Sequence, residues 1–196
     1  MDKAAPSIQA MTAQVQMITY TAVIDDTTTE NGTLQMQKKS GELRAIIEFT
    51  GANEARTVAL VGKLVKIYYP NLKQYQSYDL GKQAQTADQL LLLGFGTSGS
   101  ELEKSYDVKL IGDDKVDGKN CSRLELTPKD PNVLAKLAKV DLWIPIDAGY
   151  PAQQQFFDPP KPGNWRKVTY SNINLNPQIK GTLDLQIPKG AKKKSD

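Results

Sequence analysis

Histidine is absent from this chain of 196 residues, and cysteine occurs once, at Cys121. Without an imidazole the chain has no Ser-His or Cys-His catalytic pair, and most zinc and iron sites lose their commonest ligand. A single cysteine excludes an internal disulfide, and its place in a strand-like segment favours a small buried hydrophobe. The sequence therefore predicts no enzyme, with no catalytic residues, no metal site and no cofactor.

Long apolar runs and one-sided charge are also missing. The longest aliphatic run is Leu90 to Leu93, well below the about 18 residues that a membrane helix needs. The 25 basic and 22 acidic residues give a formal net charge of only +3, so the chain has no basic stripe for nucleic acid. The first residues, Met1 to Pro6, show no secretory signal pattern, so the compartment has to follow from other features.

One domain over residues 1–196 is the expectation, because no linker, low-complexity tract or internal repeat interrupts the chain. The lysine-rich end, residues 190–196, is expected to be a frayed tail. Attraction of that tail to anionic headgroups or to an acidic partner is the alternative.

Alternation of apolar and polar residues with a period of two dominates the chain, in short segments separated by Gly, Asn and Asp. This pattern is typical of consecutive antiparallel strands joined by hairpins. Turns are predicted at Asn31-Gly32, Ser40-Gly41, Gly62 and Pro70-Asn71. We expect about eleven strands, within the segments Gln14 to Asp25, Gly32 to Lys39, Glu42 to Thr50, Arg56 to Val61, Lys63 to Tyr69, Leu72 to Leu80, Tyr106 to Gly112, Lys119 to Leu126, Val140 to Ile146, Gln153 to Phe157, Arg166 to Asn172 and Thr182 to Ile187.

Short helical pieces interrupt the strands. The first is predicted from about Ala5 to Ala13. Thr86 to Gln89 matches a capping box, and Ser98 to Glu101 fits the cap of a further short turn. Asp130-Pro131 begins a helix with proline at its favoured first position. So little helix cannot cover a sheet of about eleven strands, so we expect the sheet to curl around an apolar cavity.

Two motifs suggest other functions. Residues 94–99 spell Gly-x-Gly-x-x-Gly, but they lack the strand and helix alternation of a dinucleotide fold, and a flexible lid or hinge explains them better. Asp113, Asp114 and Asp117 suggest a calcium loop. Because Lys115 and Leu124 stand where such a loop needs acidic ligands, an acidic hairpin turn is favoured. No carboxylate pair stands out for glycoside hydrolysis.

A series of segments along nearly the whole chain indicates a family. The segments are Gly32 to Lys39, Gly62 to Pro70, Leu124 to Lys129, Leu142 to Pro145 followed by Gly149 to Pro151, Ile173 to Asn176, and Ile187 to Gly190. Each segment alone is weakly specific, and the ordered series is more so. Together with the order of the elements, they resemble the LolA family of outer-membrane lipoprotein carriers, and the segment 62–70 is similar to that family's "Gly-Lys, apolar, Tyr-x-Pro" hairpin.

The resemblance implies a mainly β fold, an incomplete (open) antiparallel β-barrel with a few short α-helices over its concave face. It implies a periplasmic protein that binds lipoprotein acyl chains or another lipid. Its partners would be an inner-membrane lipoprotein-releasing complex and an outer-membrane acceptor, and we expect a monomer. One position departs from the family: an Arg-Pro step near the end of the second strand is replaced by Lys38-Lys39-Ser40. Lys38 and Lys39 are therefore the candidates for cargo handover, and the handover mechanism and cargo class are in question.

Acyl chains are expected to bind between a leucine-rich lid and an apolar lining. Ordinary core packing explains the lid leucines nearly as well. Trp143 and Trp165 fit either the rim of a cavity or the core. The lid consists of Leu90, Leu91, Leu92, Leu93 and Phe95. The lining consists of Met17, Met36, Ile47, Phe49, Ile67, Tyr69, Leu142 and Ile144.

The predicted function is a carrier that moves lipoproteins toward the outer membrane. Burying an acyl chain contributes about 0.8 kcal/mol per methylene, or on the order of 12 kcal/mol for sixteen carbons before costs, so an apolar cavity binds lipid without charged anchors. The alternative is a periplasmic domain of the same fold that senses lipids or lipoproteins and regulates a partner. An enzyme is the least favoured hypothesis, because no nucleophile and base pair is visible.

Overall fold

Strands dominate the computed structural model, which describes residues 7–51, 55–79, 93–95, 98–159, 163–181 and 183–194. These residues form 12 strands and two short helices. None of the described helices is long and apolar enough to cross a membrane. The strands are β1 (Ala10–Thr21), β2 (Asp26–Lys39), β3 (Glu42–Phe49), β4 (Arg56–Val61), β5 (Leu64–Tyr69), β6 (Gln74–Asp79), β7 (Tyr106–Val116), β8 (Lys119–Pro128), β9 (Lys139–Pro145), β10 (Gln153–Phe157), β11 (Trp165–Leu175) and β12 (Lys192–Lys193), and the helices are α1 (Gly99–Ser105) and α2 (Pro131–Leu134).

The described strands form one open sheet in the order β12-β6-β5-β4-β3-β2-β1-β11-β10-β9-β8-β7. Hairpins connect β2 to β6 in sequence, and β7 to β11 likewise, with antiparallel pairing throughout. The short β12 pairs in parallel with β6. The predicted class, a mainly β fold with an open antiparallel sheet and short helices, is confirmed.

The chain divides into two compact units. Unit 1 comprises Met1–Ile8, Gln16–Thr29 and Leu92–Ser171, and unit 2 comprises Gln9–Val15, Glu30–Leu91 and Asn172–Asp196. Three strands, β1, β2 and β11, contribute residues to both units. The single domain expected over 1–196 remains a prediction.

The helix predicted from Ala5 to Ala13 is wrong over its described part, because β1 begins at Ala10. The apolar residues Ile8, Met11 and Val15 fit a helical period, but Met11, Ala13 and Val15 are buried in alternation, as a strand requires. The backbone also has partners on both sides: Gln9 O accepts from Lys38 N at 2.8 Å, and Ala10 O accepts from Asn176 N at 2.8 Å. Tertiary pairing therefore overrides the local pattern.

The turn predicted at Asn31-Gly32 is also wrong. Gly32 lies inside β2 and pairs with Phe49, while the reversal between β1 and β2 occupies residues 22–25, with Asp25 in the left-handed region at φ 49°. A Cβ at Gly32 would collide with the Glu48 carbonyl oxygen. The glycine therefore permits a close approach of two strands and does not mark a turn.

No strand forms over the described residues 183–188, where the segment Thr182 to Ile187 was expected to pair. This segment is held in unit 2 by side chains: Leu183 is buried, and Asp184 Oδ1 accepts from Lys66 Nζ at 3.0 Å. Further on, Lys192–Lys193, inside the expected frayed tail, pair with Gln74 and Tyr75 of β6.

The two described helices begin where the sequence predicts. Ser98 Oγ accepts from Glu101 N at 3.2 Å, and Glu101 Oε2 accepts from Ser98 N at 3.0 Å, which completes a capping box for α1. Asp130 caps α2, with Pro131 at its first position. The piece predicted at Thr86 to Gln89 lies outside the described residues.

Candidate functional site

An apolar face forms in unit 1 where β7, β8 and β9 pair. Leu110 pairs with Leu124, and Leu124 with Leu142, so these residues share one face of the sheet. The positions two residues away on each strand, including Val108 and Ile144, lie on that face too. We call it the cavity face.

Helix α1 lies over this face. Leu102 is its buried residue, while the chain passes directly from Ser105 into β7. The end of the helix is fixed by Lys129, whose N donates to Ser105 O at 3.0 Å and whose Nζ donates to Glu103 O at 2.7 Å. The capping box fixes the other end, so both ends of α1 are held in place. We call α1 the roof.

Between α1 and the cavity face lies a cavity of about 380 Å³. This volume is within the range of about 300–1,000 Å³ that is usual for small-molecule sites. At its mouth Ile146 is 67% exposed and Val108 is 36% exposed, so apolar surface continues out of the cavity. The lining residues are Gly99, Leu102, Glu103, Val108, Ser122, Leu124, Ile144, Pro145, Ile146 and Gly149.

Polar groups at the cavity are few. The lining includes one carboxylate, Glu103, and one hydroxyl, Ser122. Ser122 pairs with Ile144 on one side and with Asp113 on the other, so an exposed carboxylate lies in the row next to the apolar wall. A second concavity, of about 530 Å³, is lined by Asp113, Asp114, Lys115, Asn120 and again Ile146.

The opposite face of the same strands is ionic, and we call it the charged face. Asp141 is fully buried there at 0% exposure, with Arg123 Nη2 at 2.5 Å from Oδ2 and Lys139 Nζ at 3.5 Å from Oδ1. Lys139 Nζ also donates to Glu125 Oε2 at 2.6 Å. That hydrogen bond is the main cause that lowers the pKa of Glu125 below its ordinary value.

Trp143 belongs to the core on the charged face, so of the two positions that the sequence left open for it, rim or core, the structure shows the core. It is buried in a cluster with Val116, Cys121 and Ala152, and the Arg123 guanidinium lies 4.9 Å from its ring centroid. Its Nε1 donates to Asp114 Oδ2 at 2.8 Å, which lowers the pKa of that carboxyl. Cys121 is buried as predicted, and burial raises the pKa of its thiol.

Leu93 and Phe95, the described members of the predicted lid, are packed in the interior of unit 1. The buried Gln154 donates from Nε2 to Leu93 O and accepts from Tyr170 Oη at 2.9 Å. The Phe95 ring stacks on Tyr150 at 6.0 Å and meets Tyr170 edge-on at 5.0 Å. Burial also raises the pKa of Tyr170. Leu90, Leu91 and Leu92 lie outside the described residues.

The predicted lining residues fall into two groups. Leu142 and Ile144 lie on the cavity face of unit 1, where Ile144 lines the cavity, and Met17 is half-buried in the same unit. Five others share one face of unit 2, because Leu34 pairs with Ile47, Ile47 with Val58, and Val58 with Ile67. We call it the Met36 face, after its members Met36, Ile47, Phe49, Ile67 and Tyr69.

Burial differs along the Met36 face. Met36 and Phe49 are buried, and the Arg56 guanidinium lies 4.2 Å above the Phe49 ring. Ile47, Ile67 and Tyr69 are only half-buried.

The handover candidates lie at the end of β2 in unit 2. Lys38 is half-buried and Lys39 is exposed. Lys39 lines a polar cleft of about 410 Å³ together with Gln37, Ser40, Glu42, Arg44, Gly181 and Leu183. Within this cleft Arg44 and Glu42 form an ion pair at 2.7 Å and balance each other's charge. Lys39 therefore gives the lining of the cleft a net positive charge.

The two alternative motifs gain no support. Gly99 begins α1 in a sheet without strand and helix alternation, unlike a dinucleotide fold. Asp113 and Asp114 belong to β7, and Asp117 forms the tight turn to β8 at φ 48°. In the described part of the chain no group of three His, Cys, Asp or Glu side chains is arranged to hold a metal ion.

Sequence reasoning missed most of the cavity. It placed Ile144 in a lining but left out Leu102, Val108, Leu124 and Ile146. The capping box before Leu102 and the alternation of apolar residues in β7 and β8 were visible signals. The register of β7, β8 and β9 brings Val108, Leu124 and Ile144 together, and α1 adds Leu102.

An open antiparallel sheet with a roofed apolar cavity on one face defines a class of mainly β domains with a pocket suited to apolar ligands. The chain belongs to one family within it: the family model described as the MucB/RseB N-terminal domain matches residues 8–135. A search of curated proteins finds no match.

Solved structures share the fold at low sequence identity. MucB is 18% identical with a TM-score of 0.54, over 93% of this chain and 59% of that one. MucB has also been solved in the Pseudomonas aeruginosa MucA/MucB complex, at 17% identity and a TM-score of 0.50 over 94% and 59% of the chains. An uncharacterised conserved protein from Thermus thermophilus is 14% identical with a TM-score of 0.58, over 98% and 93%.

The Mycobacterium tuberculosis lipoprotein LppX is 14% identical with a TM-score of 0.52, over 93% of both chains. This chain thus spans 59% of the MucB chain and nearly all of the other two. The fold that the LolA resemblance implied is confirmed, while membership of the LolA family itself remains a prediction.

Proposed function

We propose that this chain is a non-catalytic periplasmic domain that binds an acyl chain of a lipid or lipoprotein in the cavity under α1. The observation that carries this proposal is the cavity itself: its wall is apolar, its roof is fastened at both ends, and apolar surface continues out of its mouth. A largely apolar site with one carboxylate and one hydroxyl in its lining suits a hydrocarbon tail whose head stays in water.

The energetics are sufficient for such binding. A tail of ten methylenes offers about 8 kcal/mol of transfer free energy when buried, at about 0.8 kcal/mol each. Losses of translational and conformational freedom reduce this sum, so micromolar rather than nanomolar dissociation constants are expected for a single tail.

The test is titration of the full chain with a radiolabelled or fluorescent sixteen-carbon fatty acid, comparing Ile146→Ser with Leu134→Ser. Leu134 and Ile146 are both exposed, at 41% and 67%, but only Ile146 lines the cavity. We expect Ile146→Ser to weaken binding about fivefold and Leu134→Ser to leave it unchanged. No binding to the parent chain, or equal losses in both variants, would contradict the proposal.

The role we favour for this binding is regulatory: the domain senses a lipid or a mislocalised lipoprotein and passes the signal to a protein partner. The family match supports this role, since MucB forms a complex with MucA. The expected behaviour is reciprocal, because a ligand that changes partner affinity must have its own affinity changed by the same factor. Fatty-acid affinity measured with and without a candidate partner checks this.

A second candidate is the lipoprotein carrier, supported by the Met36 face. Its five members are the predicted lining residues of unit 2, and three of them keep exposed apolar surface. In this role Lys38 and Lys39 would act in handover, between an inner-membrane releasing complex and an outer-membrane acceptor. Transfer of a triacylated lipoprotein from donor to acceptor vesicles would support the carrier, and binding without transfer would favour the regulator.

A further inference from the structure

The outer edge of β7, on the side away from β8, is a second surface of unit 1 beside the cavity. β7 is the last strand in the sheet order, and its only described backbone pairing is with β8. A terminal strand has N–H and C=O groups that point outward and can accept another strand. The edge is 11 residues long, longer than the short edge strands by which proteins usually avoid such pairing.

Apolar side chains accompany this edge. Leu110 is 63% exposed and Ile111 is 44% exposed, and the pairing with β8 is irregular between Leu110 and Gly112. A bulge bends the strand and leaves its extra residue outside the regular pairing with β8, and the two exposed apolar side chains lie at this point. Exposed apolar residues on a free edge are typical of a surface that pairs with a partner strand.

The edge is continuous with the cavity. Val108 belongs to β7 and also lines the cavity, and Ile146 lines both the cavity and the second concavity beyond it. A tail in the cavity would therefore leave its head group next to β7. A ligand that fits both features has an acyl chain joined to an extended backbone.

Charge at the far end of β7 indicates the kind of backbone. The second concavity presents the carboxylates of Asp113 and Asp114 against one cation, Lys115. The Asp114 carboxylate is occupied by Trp143, so Asp113 is the exposed acid that faces the same side as the cavity wall. A basic side chain in the ligand would complement it.

We infer that the outer edge of β7 binds, as an added strand, the extended peptide that follows the acylated residue of a lipoprotein, and that Asp113 favours a basic residue in this peptide. The inference rests on the proposed function, because it needs the acyl chain in the cavity. If the peptide pairs with β7, the affinity has a part that depends on the peptide. Main-chain hydrogen bonds contribute for any peptide sequence, whereas Asp113 favours peptides that carry a positive charge.

The test uses synthetic lipopeptides with the full chain: a triacylated cysteine followed by serine and four lysines, and the same peptide N-methylated at its even or at its odd positions. In a strand, alternate N–H groups point to the same side, so only one methylation frame removes the bonds to β7. We expect that frame to weaken binding about tenfold and the other to change it less than about twofold. Equal affinity of all three peptides would overturn the edge-pairing inference.

The charge preference is tested with a peptide carrying four glutamates in place of the lysines. The parent chain should prefer the lysine peptide severalfold, Asp113→Asn should abolish most of that preference, and Asp117→Asn should keep it. Asp117 is a matched control because it lies in the adjacent turn at φ 48°, which asparagine tolerates. An unchanged preference in Asp113→Asn would overturn the role of this residue.

Palmitate alone separates the two proposals. If palmitate binds and the lipopeptides show no dependence on the peptide, the β7 inference fails and the proposed function stands. If neither palmitate nor any lipopeptide binds, both fail.

Discussion

The two faces of β7, β8 and β9 are built from alternate residues of the same strands, yet they differ in charge and in packing. The cavity face carries Leu124 and Ile144 and keeps open space beneath α1. The charged face carries Arg123, Asp141 and Trp143, which are joined by an ion pair and a ring contact. One strand triplet thus separates a surface for binding from a surface for stability.

The two faces are expected to respond differently to substitution. Side chains around a cavity already lack some packing contacts, so variants there should change binding more than stability. On the charged face the fully buried Asp141 needs its cations, and removing one partner of a buried ion pair is strongly destabilising. Variants there should therefore change stability.

The largest effect is expected on the charged face. Arg123→Met removes the cation 2.5 Å from the fully buried Asp141 and leaves Lys139 at 3.5 Å as its nearest cation. Removal of one partner from a buried ion pair costs about 3 kcal/mol of unfolding free energy. Urea denaturation at pH 7 measures it. A double variant, Arg123→Met with Asp141→Leu, should recover most of the loss, and a single variant as stable as the parent would refute the role of the pair.

An intermediate effect is expected at the roof of the cavity. Ser98→Ala removes the hydroxyl that accepts from Glu101 N at 3.2 Å, and loss of such a cap costs about 1 kcal/mol. Because α1 has only seven residues, the loss should appear as faster amide exchange in α1 and as weaker fatty-acid binding. Ser98→Asp keeps an acceptor at the cap and is the control. Unchanged exchange in Ser98→Ala would show that the cap does not hold the roof.

The smallest effect is pH-dependent and again belongs to the charged face. The Lys139 hydrogen bond lowers the pKa of Glu125 in the folded chain, so the stabilisation is present above the ordinary carboxyl pKa and is lost as pH falls through the lowered value. Glu125→Gln should therefore cost about 0.5 kcal/mol at pH 7, and the difference from the parent should vanish in acid. Denaturation curves from pH 7 down to pH 3 check this, and a difference that persists in acid would contradict it.

Local patterns in the sequence were enough for the fold class and for both described helix starts. Alternation of apolar residues identified most strands, and the caps at Ser98 and Asp130 work over four residues or fewer. The error over the described part of the helix predicted from Ala5 to Ala13 has a physical reason, since Met11 and Val15 fit both periods and the pairing with Lys38 and Asn176 decides.

The site was less predictable, because it depends on register. Val108, Leu124 and Ile144 meet only through the pairing of β7, β8 and β9, with an irregularity at Ile111 that no local pattern shows. Leu93 and Phe95 have the composition of a lid, and their burial depends on Gln154 and Tyr170, about sixty and seventy-five residues away. Burial of this kind follows from tertiary packing.

The most direct measurement is photo-crosslinking of the full chain with a diazirine-bearing palmitate, followed by mass spectrometry of the labelled peptides. We expect labels in β7, β8 and β9 and in α1, concentrated near Val108, Leu124, Ile144 and Ile146, and competed away by unlabelled palmitate. Competed labels confined to the Met36 face of unit 2, or no competed labels in unit 1, would contradict binding in the cavity under α1.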